Sequence, residues 1–303
     1  MRLSLEQRLR QIDRRGYPAY KELAGSYDFP GYALYLDHVQ GDPFASPSLL
    51  RVRVPQQQAA FPSELFSSPI RRVALEDYIT RQFAAAIRRH VKGNRGSGKS
   101  GMVAVDVGGQ EILERTSCVV NDRYVEVRFS VGLPAAGRTV LANEAYAMFY
   151  QEIPQLVKAA LYYGSIDKDA VQRHVEVAED AQALRDQLES RGLVAFVADG
   201  AILPRESGIS PRPMRADRAV KFASAPELRV ELVAPNRGKM LGMGIPQGVT
   251  LIVGGGYHGK STLLLALEMG AYNHVPGDGR EYVVSRADAV KIRAEDGRRV
   301  EKV

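Results

Sequence analysis

The stretch from Gly248 to Ala271, GVTLIVGGGYHGKSTLLLALEMGA, restricts this chain more than any other. An apolar, β-branched run, Val249 to Val253, leads into Gly254, Gly255 and Gly256, then Tyr257, His258, Gly259, Lys260, Ser261 and Thr262. Leu263 to Met269 is rich in Leu and Ala, which favour helix. The order predicted is strand, glycine-rich loop, helix. Gly254, Gly259, Lys260 and Ser261 fit the G-x-x-x-x-G-K-[ST] (Walker A) pattern of a phosphate-binding loop. The residue types suit that task. Glycines let backbone N–H groups converge on phosphate without Cβ clashes. The N-terminus of the following helix adds partial positive charge. Lys260 is the candidate catalytic cation at the β- and γ-phosphates of ATP, Ser261 the candidate Mg2+ ligand, and Thr262 a donor near the α-phosphate. Gly254 through Thr262 are therefore the expected nucleotide contacts.

The same pattern occurs a second time, in Gly93-Asn94-Arg95-Gly96-Ser97-Gly98-Lys99-Ser100. Its context differs. Leu75, Ile79, Phe83, Ile87 and Val91 recur every four residues and predict a helix before the loop. Met102 to Val107 alternates as a strand after it. Helix–loop–strand aims no helix N-terminus at the loop, so this copy is not expected to hold a nucleotide. Two readings stay open: a basic loop touching phosphate or nucleic acid, with Arg88, Arg89, Lys92, Arg95 and Lys99 as contacts, or an ordinary surface loop.

Charge and cysteine content narrow the class. The chain has 303 residues, 41 Lys and Arg against 35 Asp and Glu, and a net charge of +6. That excess permits a polyanionic partner without requiring one. Cys118 is the single cysteine, so no intrachain disulfide can form. The histidines, His38, His90, His174, His258 and His274, show no close metal-ligand spacing. No run of 18 apolar residues and no leader-like N-terminus is present, so a cytoplasmic protein without membrane contact is expected.

Read in order, Leu3 to Arg15 is predicted as an amphipathic helix with Leu5, Leu9 and Ile12 inward. Tyr32 to His38 and Ser48 to Val54 read as strands, with Arg51 and Arg53 on one face. Cys118 to Asn121 and Tyr124 to Val131 read as strands joined by an Asn121-Asp122 turn. Ala142 to Leu161 is helical with an interruption at Pro154. Asp167 to Arg191 is helical with Val171, Val175, Ala178, Ala181, Leu184 and Leu188 as its seam. Leu193 to Ala198 is an apolar strand ending at Asp199. It is read as a buried strand with an Asp-Gly turn, the alternative being a strand-end carboxylate for Mg2+ in permuted order. Leu203 to Lys221 is a Pro- and Arg-rich linker with Arg205, Arg212, Arg215, Arg218 and Lys221 as a basic stripe. Leu228 to Val233, Tyr282 to Ser285, Val290 to Arg293 and a hairpin through Glu295 to Val303 complete the strands expected. A phosphate-loop ATPase also needs a strand-end Asp to hold Mg2+, and none follows Lys260; the chain is expected to be a piece of a longer protein.

RGSGKSG at 95–101, GQEILERT at 109–116, GLPAAGRT at 132–139, FVADGAILPRESG at 196–208 and the 248–281 segment resemble the bacterial predicted ATPases of the ABC class, relatives of a kinetoplastid mitochondrial RNA-editing ATPase. The resemblance implies an α/β protein: an N-terminal mixed α/β domain over 1–202, a basic linker over 203–227, and over 228–303 the first part of an ABC-type phosphate-loop core. It also implies ATP hydrolysis completed by residues beyond Val303, a head-to-tail homodimer around ATP, and RNA as a further partner. A nucleic-acid-binding module with nucleotide as a structural or regulatory ligand is the alternative.

Overall fold

The structure is a computed structural model and describes residues 3–292. It divides into two units. The first comprises the described residues through Gly108 together with Glu114–Gln172. The second comprises Gly109–Leu113 and the described residues from Arg173.

In the first unit, helix α1 (Leu5–Ile12) opens with a Ser4 cap whose hydroxyl accepts the Gln7 N–H, while the Gln7 side chain returns to the Ser4 N–H. Leu5, Leu9 and Ile12 are buried, as their spacing predicts. Strands β1 (Gly25–Phe29), β2 (Tyr32–His38) and β3 (Ser48–Pro55) follow, with a single turn α2 (Gln56–Ala59) and then the long α3 (Pro69–His90). Helix α3 begins six residues before the apolar period starts at Leu75, because Ser68 caps it and Pro69 supplies a preset first-turn φ.

Strands β4 (Val103–Ala104), β5 (Glu111–Ile112), β6 (Cys118–Val120) and β7 (Tyr124–Val131) come next, then the hairpin β8 (Ala135–Ala136) and β9 (Thr139–Val140). Strand β5 belongs to the second unit. Asn121 Oδ1 accepts the N–H groups of Arg123 and Tyr124 and so makes the expected β6–β7 turn. Helices α4 (Ala142–Ala147) and α5 (Ile153–Ala160) are joined by a π-turn over Met148–Glu152. That turn accommodates Pro154, which has no N–H to continue a regular ladder.

The main sheet runs β1-β2-β3-β7-β4, with β6 also on β7, and is antiparallel throughout. Val52, Val125, Val127, Phe129 and Phe83 fill its covered side, with the Phe83 and Phe129 rings 5.2 Å apart. The other side carries Tyr35, Arg51, Arg53, Tyr124 and Arg128 around Glu126. The Glu126 side chain is fully buried and bonded to all three arginines. Arg51 lies over the Tyr35 ring and Arg53 over the Tyr124 ring, each at 4.0 Å.

Helix α6 (Lys168–Asp186) carries the chain into the second unit, where Ala181, Leu184 and Leu188 face β10 (Leu193–Ala198). Strands β11 (Arg229–Ala234) and β12 (Gly238–Pro246), helix α7 (Lys260–Met269), and strands β13 (Asn273–His274) and β14 (Val283–Ser285) complete it. The sheet order is β11-β12-β10-β14, all antiparallel, and β13 pairs with β5. Alternation along the strands splits the core. Phe196, Ala198 and Val284 pack with α6, whereas Val197 and Val283 pack with Ala266 of α7.

Several expectations are corrected. The domain boundary falls at 172/173, not at 202, because β10 forms its sheet with β12 and β14. Segment 203–227 is not a free linker. Leu203 is buried, Phe222 N–H donates to Ala201 O, and Ser224 is bonded to Asp199. Val249 to Val253 forms no strand; Val249, Leu251 and Val253 are exposed. Val290 to Ile292 forms none either. Arg293 and the hairpin expected through Glu295 to Val303 lie outside the described residues.

Candidate phosphate-binding site

Helix α7 starts at Lys260, directly after Gly259, which holds φ +82°. Gly254 (φ +147°) and Tyr257 (φ +63°) also lie in the left-handed half of backbone space, so the loop curls back over the helix start. Lys260 Nζ donates to the carbonyl oxygens of Gly254, at 2.6 Å, and of Gly255. Its ammonium is thereby held over the loop. Tyr257, His258 and Ser261 are exposed, and Lys260 and Thr262 are half-buried. Among the described residues, the N–H groups of Gly255 to Gly259 donate to no protein acceptor, and the first bond into the helix is Leu263 N to Gly259 O, 2.8 Å. The first three amides of α7 are the orphans that every helix start leaves. The loop thus presents a row of uncommitted donors, a helix N-terminus, one ammonium and the Ser261 hydroxyl. Ser261, on the first turn and open to solvent, fits a Mg2+ ligand shared with phosphate oxygens.

The far end of α7 is fixed by groups that the sequence reading did not single out. Ser285 Oγ donates to Leu267 O at 2.6 Å, and Ser285 N to Gly270 O at 2.9 Å. Arg185 donates to Gly270 O, Ser285 O, Asn273 Oδ1 and Gln182 Oε1. Burial lowers the Arg185 pKa from its ordinary value, yet the guanidinium sits where the negative end of the α7 dipole favours a cation. His274 Nε2 lies 3.1 Å from Met269 O, and its Nδ1 lies 2.9 Å from Asp278. Asp278 in turn accepts from Arg205 at 2.8 Å. Burial pushes the Asp278 carboxyl up, but the bonds from His274 and Arg205 outweigh it, and the net shift is downward. Arg205 is therefore withdrawn from the expected basic stripe. Arg212, Arg215, Arg218 and Lys221 remain exposed, Arg215 paired with Asp217.

Asp199 takes the role read for it as a strand end with an Asp-Gly turn. Its carboxylate accepts Ser224 N and Oγ, with Arg229 3.6 Å away, and Gly200 holds φ +88°. It faces a structural partner, not the phosphate loop's Lys260.

The second glycine-rich loop is built differently. Arg95 N bonds Ser100 O, Gly96 N bonds Asn94 Oδ1, Ser97 N bonds Ala135 O, Lys99 N bonds Pro43 O and Gly101 N bonds Gly132 O, all between 2.7 and 2.9 Å. Most of its amides are committed to the protein; those of Gly93, Asn94 and Gly98 have no acceptor among the described residues. Arg95 is corrected as a nucleic-acid contact: its side chain is 5% exposed and it pairs with Glu144 and, at 2.6 Å, with Glu152. Lys92 is exposed and lies 3.6 Å from Glu144. Arg88, Arg89 and Lys99 are exposed with no ion-pair partner among the described residues.

No cluster of three or more His, Cys, Asp or Glu able to hold a metal occurs among the described residues. None of their helices is long and apolar enough to cross a membrane.

Comparison with known proteins agrees with this geometry. Residues 2–164 match the family described as the N-terminal part of ATPases of the ABC class. Residues 167–303 match the ABC ATPase P-loop domain. An uncharacterized protein of Methanocaldococcus jannaschii, MJ1628, is 33% identical over 108 residues, 34% of this chain and 24% of that protein. The match thus spans about a quarter of that relative's length. With its first 160 or so residues in the N-terminal family and the phosphate loop in the P-loop domain, the chain belongs to the ATPases of the ABC class.

Proposed function

We propose that this chain binds ATP with Mg2+ at Gly254–Thr262 and contributes that site to ATP hydrolysis. The observation that carries the reading is the contrast between the two glycine-rich loops. The amides of Gly255 to Gly259 are uncommitted, whereas those of Arg95, Gly96, Ser97, Lys99, Ser100 and Gly101 are spent on Ala135, Pro43, Gly132 and their own loop, which leaves only Gly98 open in that stretch. With nucleotide bound, Lys260 would exchange its two loop carbonyls for the β- and γ-phosphates, and Ser261 would be the residue to hold Mg2+. In-line attack also needs a group that orients water, and Asp199 is engaged by Ser224. Titration of the chain with ATP and Mg2+ in a calorimeter tests the binding step. Phosphate release, measured in parallel, tests turnover.

RNA binding is the second reading, favoured by the exposed, unpaired Arg88, Arg89 and Lys99 beside Lys92. Three or four phosphate contacts on a single strand correspond to a slope of log affinity against log salt of about −2 to −3. A flat response to salt, or no binding at low salt, removes this reading and leaves the nucleotide site as it stands.

A further inference from the structure

Helix α7 carries the phosphate loop on its first turn, yet little apolar packing holds it. Of its ten residues only Ala266 is buried. Leu263 and Leu267 are partly buried, and Leu264 and Leu265 are exposed. What fixes the helix is its carbonyl end. Leu267 O accepts the Ser285 hydroxyl, Met269 O faces His274 Nε2, and Gly270 O accepts both the Ser285 N–H and Arg185 Nη2. These carbonyls are among those that a helix end otherwise leaves without partners. A Cβ added to Gly270 would lie 3.0 Å from Ser285 Oγ and from Val283 O, so the seat of α7 on β14 is tight.

Arg185, in the last turn of α6, is 8% exposed. Its acceptors are four neutral oxygens, Gly270 O, Ser285 O, Asn273 Oδ1 and Gln182 Oε1, at 2.7 to 3.1 Å. No Asp or Glu forms an ion pair with it among the described residues. Burying a guanidinium without a carboxylate is costly. The compensation here is the negative end of the α7 dipole. The planar fork also joins Gly270 O of α7 to Ser285 O of β14, which a single ammonium does not do with the same geometry.

We propose that Arg185 is a positioning residue for nucleotide binding. It holds the far end of α7 and so aims the loop and the first turn, Lys260 to Thr262, at the phosphates. The inference rests on the reading that Gly254–Thr262 binds ATP. The lever is long. Ten residues at about 1.5 Å each separate the seat from the loop, so a tilt of about 10° about the seat carries the loop about 2.6 Å. A misplacement of about 1 Å is already enough to weaken a preorganised site severely. Asp180 supplies the matched control. It is buried on the same helix, but it accepts the N–H and Nδ2 of Asn236 at the β11–β12 turn and makes no hydrogen bond to α7 among the described residues.

The test is calorimetric titration of ATP with Mg2+ into the wild-type, Arg185→Met, Arg185→Lys and Asp180→Ala proteins, with a thermal melt of each. All three substitutions should lower the melting temperature, and only those at Arg185 should weaken ATP. Arg185→Met should lose at least tenfold in affinity. Arg185→Lys keeps the cation without the fork and should lose about three- to fivefold. Asp180→Ala should stay within about twofold of wild type. A folded Arg185→Met protein that binds within twofold of wild type, or an equal loss from Asp180→Ala, would overturn this inference and leave the ATP site standing. Should Arg185→Met fail to fold, wild-type affinity in Arg185→Lys would overturn it in the same way. Absence of ATP binding by the wild type would remove the nucleotide reading and this inference together.

Discussion

Gly132 packs so closely on Lys99 that a Cβ added to it would lie 1.8 Å from the Lys99 carbonyl oxygen. The obstacle is backbone, so no rotamer change relieves it. Gly96, Gly98 and Gly101 of the second loop are likewise closed in by backbone, each meeting a carbonyl oxygen within 2.5 Å of an added Cβ, so packing accounts for these glycines of the pattern. Gly132→Ala should destabilise the protein by more than about 3 kcal/mol, as strain at a fully packed position does. Gly256 has nothing within 4 Å of such a Cβ. Gly256→Ala should therefore change stability by less than about 1 kcal/mol. Urea midpoints of the two variants check the contrast; equal losses would show that the second loop is as open as the first.

The pH dependence of stability should carry the mark of Glu76. Glu76, on α3, is buried and forms no ion pair among the described residues, and burial pushes its folded pKa up to about 7, above the ordinary 4.5. Between those values the folded chain holds a proton that the unfolded chain has released, so this group's contribution falls as pH rises through the window. Allowing for residual solvent screening, the full penalty above pH 7 is about 2 kcal/mol. Glu76→Gln should raise stability by that amount at pH 8 and leave it nearly unchanged at pH 4.5, read from urea unfolding at each pH. A variant less stable than the wild type at pH 8 would contradict the isolated-carboxyl reading.

Glu126 should show the opposite sign. Burial raises its pKa, but the bonds from Arg53, Arg128 and Arg51 prevail, and the net shift is downward. Its stabilisation is present above the ordinary carboxylate pKa and is lost as pH falls through the lowered folded value. Glu126→Ala leaves three guanidinium groups facing one another and should cost about 3 kcal/mol at pH 7. The loss should shrink in acid, where the wild type forfeits the same bonds; a pH-independent loss would point to packing alone.

Much of this was legible in the residue order, for local reasons. Leu5, Leu9 and Ile12 announce α1, and the seam from Val171 to Leu188 announces α6. What escaped was set by distant partners. Strand β12 was hidden by Gly238, Gly242 and Gly244, poor strand formers. The fold needs glycine at Gly242 because a Cβ there would sit 2.6 Å from Phe196 Cζ. Val249 to Val253 has the composition of a strand, but β11, β12, β10 and β14 fill the sheet order without it. Arg95 reads as surface until Glu144 and Glu152, some fifty residues away, close on it. At the phosphate loop, the motif is complete in sequence, whereas the Arg185, Ser285 and His274 support of α7 is assembled from separate elements and leaves no local pattern.

The contrast between Lys260 and Lys99 tests the central claim most directly. Both lysines occupy the same position of the same eight-residue pattern, and they differ only in structural context. ATP with Mg2+ is titrated by calorimetry into the wild-type, Lys260→Ala and Lys99→Ala proteins. Lys260→Ala should lose at least tenfold in affinity, because the β- and γ-phosphates then lack their nearest cation. Lys99→Ala should stay within about twofold of wild type, since most of its loop's amides are spent within the protein and no helix N-terminus follows it. Equal losses from both substitutions, or a loss confined to Lys99→Ala, would contradict the assignment of the nucleotide site to Gly254–Thr262.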